Sequence, residues 1–124
     1  MEVKPARVFK TRWFSRAAKK ALIKDAHLCD AIAEVMKGQA DDLGGGVYKK
    51  RLNKNMHRSI VLARARTFWI YTFLFAKKDR QNIESDELDA FRDLADAYAA
   101  KSDEDFSKEL AAKELMEICL EQEA

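Results

Sequence analysis

Basic side chains in the middle of the chain have a spacing that suits the binding of phosphate. Lys49 and Arg51 lie two residues apart in Val47–Leu52, a run that predicts a β-strand, so both side chains project from one face. Arg58 opens the next predicted strand, and Lys78 follows the strand after that. Arginine donates paired hydrogen bonds to phosphate oxygens and lysine supplies a point charge, both most valuable as negative charge builds in a transition state. Hairpin pairing would place these four side chains around one phosphodiester as catalytic candidates.

Further basic residues flank this cluster and are candidate nucleic-acid contacts. They are Lys50, Lys54, His57, Lys77 and Arg80. His57 has a side-chain type that can act as a general acid or base near neutral pH, although a loop histidine can equally be a solvent-exposed residue. The whole cluster can also be a binding face without chemistry, and the residues alone leave both interpretations open.

Other catalytic signatures are absent from the sequence. It contains no GxSxG, HExxH or Walker motif and no paired histidines for a metal, so we predict neither a metal site nor a cofactor. Gly44–Gly46 precedes a predicted strand and is interpreted as a turn. Cys29 and Cys119 are 90 positions apart without a CxxC spacing, which predicts reduced, structural cysteines.

Charge is distributed unevenly along the 124 residues. The net charge is +2, but residues 1–83 carry +12 and residues 84–124 carry −10. A basic region of this density attracts a polyanion, most simply nucleic acid, although an acidic tail packed beside a basic body is the alternative. No apolar run is long enough to span a membrane, and no signal peptide is recognised at the start, which favours a cytoplasmic protein.

Hydrophobic periodicity predicts an α+β domain with a small, mostly antiparallel sheet. The order is β-α-α-β-β-β-α-α, with strands at Val8–Phe14, Val47–Leu52, Arg58–Ala63 and Thr67–Ala76, and helices beginning after Ser15, Asp25, Ser85 and Ser102. Residues 1–83 form the predicted core, and residues 84–124 an acidic helical extension of the same domain.

The predicted strand Thr67–Ala76 is apolar on both faces, which indicates a central strand. Strict alternation would put Trp69, Tyr71, Phe73 and Phe75 on one face and Phe68, Ile70 and Leu74 on the other. We interpret these aromatic side chains as core, in preference to a platform for stacking RNA bases. The following helix is predicted to pack through Leu88, Phe91, Leu94 and Tyr98.

Three segments resemble a known family when taken in order. They are Val47–Leu52, His57–Leu62 and Phe75–Ile83, preceded by the β-α-α pattern and by Leu43–Gly46. Over residues 8–83 they resemble RelE/HigB-type toxins of bacterial type II toxin–antitoxin systems, in the RelE/ParE superfamily. The resemblance implies a ribosome-dependent mRNA endonuclease that needs no metal, because the 2′-OH of the RNA is the nucleophile. It also implies a cognate antitoxin, with the ribosome and mRNA as further partners.

The resemblance also implies roles for the catalytic candidates. Lys49 and Arg51 match the paired basic residues of the family, with Lys49 or Arg51 helping to deprotonate the 2′-OH. Arg58 matches an arginine that grips the phosphate, and Lys78 replaces an arginine that stabilises or protonates the leaving oxygen. Two alternatives remain open: a gyrase-poisoning toxin of the ParE branch, and a non-catalytic relative that only binds RNA or ribosomes.

Overall fold

A sheet with helices on both faces forms the framework of the protein. The computed structural model describes residues 6–64 and 67–120. Within these ranges the strands are β1 (Arg7–Thr11), β2 (Asp41–Gly44), β3 (Val47–Leu52), β4 (His57–Arg64), β5 (Phe68–Ala76) and β6 (Leu115–Ile118), and the helices are α1 (Arg12–Lys20), α2 (Asp25–Met36), α3 (Ser85–Ala99) and α4 (Asp103–Ala111). None of the helices in these ranges is long and apolar enough to cross a membrane.

The strand order across the sheet is β2-β3-β4-β5-β1-β6. All neighbouring strands are antiparallel except β1 and β5, which run parallel. The predicted α+β class with a mostly antiparallel sheet is therefore confirmed. The sequence did not predict β2 and β6, which have four residues each and are too short to show a clear alternation. The division into residues 1–83 and 84–124 stays a prediction.

Each face of the sheet has its own hydrophobic core. On one face, α1 and α2 pack against the sheet, where the buried Tyr71 hydroxyl donates to the Leu28 carbonyl oxygen at 2.7 Å. On the other face, α3 and α4 pack against it, with Phe106 stacked on Phe9 at a centroid distance of 5.3 Å. Both faces of β4 and β5 are covered, as the two-sided apolar pattern of β5 predicted.

A β-bulge at Thr72 interrupts the alternation of β5. Tyr71 pairs with Val61 and Phe73 with Ile60, so two consecutive residues on β4 face three residues on β5. The Thr72 hydroxyl donates to the Ile60 carbonyl oxygen at 3.0 Å, inside the sheet. Every side chain after the bulge consequently points to the face opposite the one that strict alternation predicts.

This reversal corrects the predicted faces of β5. The α1/α2 core contains Trp69, Tyr71 and Leu74, whereas the α3/α4 core contains Phe68, Ile70, Phe73 and Phe75. The expectation that the four alternate aromatic residues share one face is wrong, because the bulge inserts one residue between them. The interpretation as core is confirmed for Trp69, Tyr71 and Phe75, which are buried.

Helix α1 begins earlier than the sequence predicted. Thr11 ends β1 and caps α1, because its hydroxyl oxygen accepts a hydrogen bond from the Phe14 backbone N–H at 3.1 Å. The predicted strand Val8–Phe14 is therefore wrong beyond Thr11, and Ser15 lies inside the helix instead of capping it. As a result, Trp13 lies on the first turn of a helix, where 51% of it is exposed.

A disulfide joins α2 to the segment that follows β6. Cys29 and Cys119 are bonded, with a Cα–Cα distance of 5.5 Å, and the prediction of two reduced cysteines is wrong. The wide separation of the two cysteines along the chain does not reveal this bond. β6 pairs with β1, and this pairing brings Cys119 next to α2. Arg7 reinforces this pairing with two hydrogen bonds to the Glu117 carboxylate, at 2.9 and 2.8 Å.

Of the two acidic C-terminal helices, α4 is capped as predicted, whereas α3 begins at Ser85 itself and has Glu84 as its N-cap. Ser102 is the N-cap of α4, and its hydroxyl oxygen accepts from the Asp105 backbone N–H at 3.1 Å. In α3, Leu94 is 38% exposed and Ala95 is buried, so Leu94 does not belong to the packing stripe. Tyr98 is buried as expected, and its burial raises its pKa to about 12.

Candidate functional site

Three predicted catalytic residues lie in one row on the α3 side of the sheet. Arg51 of β3 and Arg58 of β4 are direct register partners, and Lys49 pairs with Ile60, two residues further along. Ile60 belongs to the α3/α4 core, and residues two apart on a strand share a face. We call Lys49, Arg51 and Arg58 the strand face.

Arg58 is the most fixed member of the strand face. It is only 8% exposed, and its Nη1 donates to the backbone carbonyl oxygens of Asn55 at 2.9 Å and of His57 at 3.3 Å. Arg51, its partner across the strands, is exposed. One guanidinium is thus held by the β3–β4 turn while the other is free to approach a ligand.

Lys49 has a carboxylate neighbour on the edge strand β2. Its Nζ lies 3.5 Å from Asp41 Oδ2, and the Asp41 side chain is 61% exposed. An ion pair with one exposed partner contributes about 0–1 kcal/mol at most. Lys49 can therefore exchange Asp41 for a phosphate oxygen at little cost in stability.

Arg80 lies next to the strand face, and the aromatic ring of Phe75 connects the two. Phe75 is the register partner of Arg58, and the Arg80 guanidinium lies 5.5 Å from the centroid of the Phe75 ring. Arg80 also donates to the Asn82 carbonyl oxygen at 3.0 Å and to both carboxylate oxygens of Glu87 on α3. The hydrogen bond to Arg80 lowers the pKa of Glu87, so this carboxylate is ionised and offsets part of the positive charge here.

Lys78 lies in a different place from the strand-face residues. It lines a cleft of about 720 Å³ beside the end of α1 and the β3–β4 turn, together with Lys20, Lys54, His57 and Lys77. The His57 ring nitrogen Nδ1 lies 3.2 Å from the side-chain nitrogen of Asn53. The predicted site is thus divided between the strand face and this cleft.

Lys50 points to the opposite face from Lys49. Its Nζ lies 3.0 Å from Glu34 Oε1 on α2 and donates to the Gln39 carbonyl oxygen at 2.9 Å. Both contacts tie β3 to the end of α2. Among residues 6–64 and 67–120, no three His, Cys, Asp or Glu side chains are grouped so as to hold a metal ion.

A second cleft, of about 730 Å³, contains residues that the sequence did not single out. Trp13, Arg16 and Lys20 of α1 line it together with His57, Phe75 and Arg80. The two clefts share Lys20, Ala21, His57 and Ala76 and therefore adjoin. We call the joined cleft the α1 groove, lined by Trp13, Arg16, Lys20, Lys54, His57, Lys77, Lys78 and Arg80.

The sequence does carry a signal for these α1 residues, but only if the segment is a helix. Trp13, Arg16 and Lys20 are spaced by three and four residues, which puts them on one face of a helix. In the predicted strand Val8–Phe14 the same spacing has no meaning, because strand side chains alternate with a period of two.

The comparisons with known proteins give one match. The chain matches the model of the family described as the RelE toxin of the RelE/RelB toxin–antitoxin system, over residues 6–118. No curated protein matches it, and no solved structure does. The matched range contains every strand and helix described above. It therefore also contains all residues of the strand face and of the α1 groove. The chain belongs to the RelE toxin family of toxin–antitoxin systems.

Proposed function

We propose that this toxin inhibits translation by cutting mRNA on the ribosome, within the codon exposed in the A site. The observation that carries the proposal is the row of Lys49, Arg51 and Arg58 on one face of adjacent strands. A row of three cations matches a phosphodiester whose negative charge increases in the transition state. Membership of the RelE toxin family supports the same reaction class.

The proposed reaction is an internal transfer that uses the RNA's own nucleophile. The 2′ oxygen forms a bond to the adjacent phosphorus as the bond from phosphorus to the 5′ oxygen breaks. The proton of the 2′-OH leaves to a base, and the 5′ oxygen gains a proton. The products are a cyclic 2′,3′-phosphate and a 5′-OH end.

The strand-face residues take separate roles in this proposal. Arg58, held by two backbone carbonyls, provides a fixed positive charge beside the phosphate. Lys49 or Arg51 assists removal of the 2′ proton. Lys78 stabilises or protonates the leaving oxygen in the assignment implied by the family, and Arg80 is a second candidate for stabilising its charge because it lies over Phe75.

A translating cell-free extract provides the test. We would add the pure protein and map the new 5′ ends of the mRNA, comparing wild type with Arg51→Ala and with a control, Lys37→Ala. Lys37 is exposed and lines neither the strand face nor the α1 groove. Wild type and Lys37→Ala should cut inside A-site codons, whereas Arg51→Ala should cut about 100-fold more slowly. Intact mRNA with unimpaired translation after addition of wild type contradicts the proposal.

A binding-only toxin is the second candidate, and one observation favours it. The Arg58 guanidinium already has two hydrogen-bond partners within the protein and is largely buried. If the role of Arg58 is purely structural, we expect the protein to bind RNA with a steep salt dependence and to produce no new 5′ ends in the same extract.

Family membership also implies a cognate antitoxin as a partner. We propose that it covers the strand face with an acidic or amphipathic helix, since opposite charges would meet there. The ribosome and mRNA are the other proposed partners, and no small-molecule cofactor is proposed.

A further inference from the structure

One end of the α1 groove is formed by a half-exposed tryptophan ring. Trp13 stacks on Phe73 with a centroid distance of 5.0 Å and an interplanar angle of 28°, yet 51% of the residue is exposed. Trp69, by contrast, is 3% exposed. A large ring held flat by a partner and still open to solvent is a ready stacking surface for a nucleic-acid base.

The groove follows the part of β5 after Tyr71, where β1 no longer pairs with β5. The register of β1 with β5 ends at Lys10 and Tyr71, and α1 takes over from there. Arg16 and Lys20 continue from Trp13 along the same face of α1. The groove therefore runs along α1, from an aromatic end to a cationic end.

Except for Arg80, which pairs with Glu87, the Lys and Arg residues that line the groove form no ion pair with a described carboxylate. Within residues 6–64 and 67–120, no carboxylate lies within ion-pair distance of Arg16, Lys20, Lys54, Lys77 or Lys78. All five are exposed, and Asp79 is the acidic residue that lines the groove among those described. Exposed, unpaired cations along a channel attract a phosphate backbone independently of its sequence.

Aromatic contacts link the groove to the strand face. Trp13 stacks on Phe73, Phe73 contacts Phe75 at a centroid distance of 5.9 Å, and Phe75 is the register partner of Arg58. The bulge at Thr72 makes this possible, because it turns Phe73 and Phe75 to the face that carries Arg58. One extended strand could therefore contact both surfaces.

We infer that the α1 groove binds single-stranded RNA, with one unpaired base stacked on Trp13 and the phosphates of neighbouring nucleotides bound by Arg16, Lys20 and Lys77. The inference rests on the proposed function, because this RNA is the mRNA whose phosphodiester lies on the strand face. A protein helix fits the groove less well, since it would need a continuous apolar row. The exposed apolar side chains of the groove, Trp13 and Met56, line different clefts of it.

The test is a fluorescence-anisotropy titration at low salt with an uncleavable, dye-labelled ligand, because the dye reports binding also by variants that lack Trp13. The probe is a single strand of about ten nucleotides, within the usual range of site sizes, whose 2′ hydroxyls are methylated. Binding should quench the fluorescence of Trp13 in the wild-type protein. Trp13→Ala should weaken binding about tenfold, whereas Trp13→Phe should retain most of the affinity. Leu22→Ala is the matched control, because Leu22 is an 83% exposed apolar residue near the end of α1 that lines neither cleft.

The lysines of the groove have a separate readout. Lys20→Ala and Lys77→Ala should each reduce the slope of log affinity against log salt by about 0.7, as expected for one phosphate contact on a single strand. Unchanged slopes would remove the phosphate part of the inference.

The outcomes separate the inference from the proposed function. If Trp13→Ala binds the probe as well as wild type, the inference is overturned even when wild type cuts mRNA in the extract. Trp13-dependent binding with no mRNA cutting leaves the inference standing and removes the proposed function. Binding of an acidic amphipathic peptide, with no binding of RNA, overturns the inference in favour of a protein partner.

Discussion

The strand face and the α1 groove are both basic, but Arg58 of the strand face and the lysines of the groove hold their charges in opposite ways. Arg58 is 8% exposed and is bonded to two carbonyl oxygens, and Lys49 has Asp41 beside it. Lys20 and Lys77 of the groove are exposed, and no described carboxylate lies within ion-pair distance of either. A charge that is fixed by the protein can stabilise a defined transition state, whereas mobile charges contribute affinity without geometric precision. We propose that this difference divides the protein between chemistry at the strand face and RNA binding in the groove.

The largest expected effect is that of replacing Arg58, because this residue of the strand face is fixed by the protein and no lysine of the groove is. Arg58→Ala should reduce the rate of mRNA cutting by about 100- to 1000-fold, as for the loss of one donor to a developing charge. It should also lower the free energy of unfolding by about 1–3 kcal/mol, since two carbonyls lose a charged donor. Cutting rates and urea denaturation measure the two effects. Lys77→Ala, the comparison variant from the groove, should unfold like wild type; equal stability of both variants would contradict the distinction.

Reduction of the disulfide should change stability and leave both surfaces as they are. Cys29 and Cys119 are 90 positions apart, and opening so large a loop typically lowers the free energy of unfolding by about 2–4 kcal/mol. Neither cysteine lines the strand face or the α1 groove. Thermal unfolding with and without a thiol reductant tests the stability effect, and RNA affinity at a temperature where both forms are folded is the control. A loss of affinity on reduction would show that β6 supports one of the surfaces.

Glu87 links the two surfaces, because it neutralises part of the charge of Arg80, which borders both. Glu87→Gln should strengthen binding of a single-stranded RNA by up to about fivefold at low salt, in line with an exposed ion pair. The gain should disappear at high salt. Unchanged affinity at low salt would mean that Arg80 does not face the RNA.

The same pair predicts a dependence of stability on pH. Arg80 lowers the pKa of Glu87 in the folded protein, so the pair stabilises the fold above the ordinary pKa of a glutamate. This contribution should be lost as the pH falls through the lowered pKa of Glu87. Urea denaturation at neutral and acidic pH should therefore show a smaller acid-side loss in Glu87→Gln than in wild type.

The smallest effect is expected at Lys54, in the turn between β3 and β4. Its backbone has a φ of +53°, which a residue with a Cβ adopts at a cost. Lys54→Gly should raise the free energy of unfolding by about 0.5–1 kcal/mol and reduce the salt slope of RNA binding by about 0.7. Lys54→Ala should share the change in slope without the gain in stability. Equal stabilities of the two variants would contradict the backbone argument.

Much of the strand face could be predicted from the sequence, because strand alternation and short hairpins are local. Placing Lys49, Arg51 and Arg58 together requires only that β3 and β4 pair through a tight turn, which they do. The fold class followed from the same periodicity. Even the two-sided apolar pattern of β5 correctly indicated a central strand.

The α1 groove could not be predicted, because two single-residue events define it. Thr11 and Ser15 are both good N-cap residues, and the β-forming run around them favoured the later one. The bulge at Thr72 carries no glycine to mark it, yet it reverses Phe73 and Phe75. Such choices depend on tertiary packing. The disulfide likewise depends on β6 reaching β1, which no local pattern indicates.

The two edges of the sheet limit how another chain can join it. β2 and β6 have four residues each; β2 carries the exposed Asp41 and Asp42, and β6 lies just before the disulfide-bonded Cys119. Short, charged or anchored edge strands are poor templates for a further strand. Growth of the sheet by strand addition would have to use the outer side of one of these two short strands as its template. The protein should therefore resist edge-to-edge aggregation, and an antitoxin should recognise the side chains on its faces.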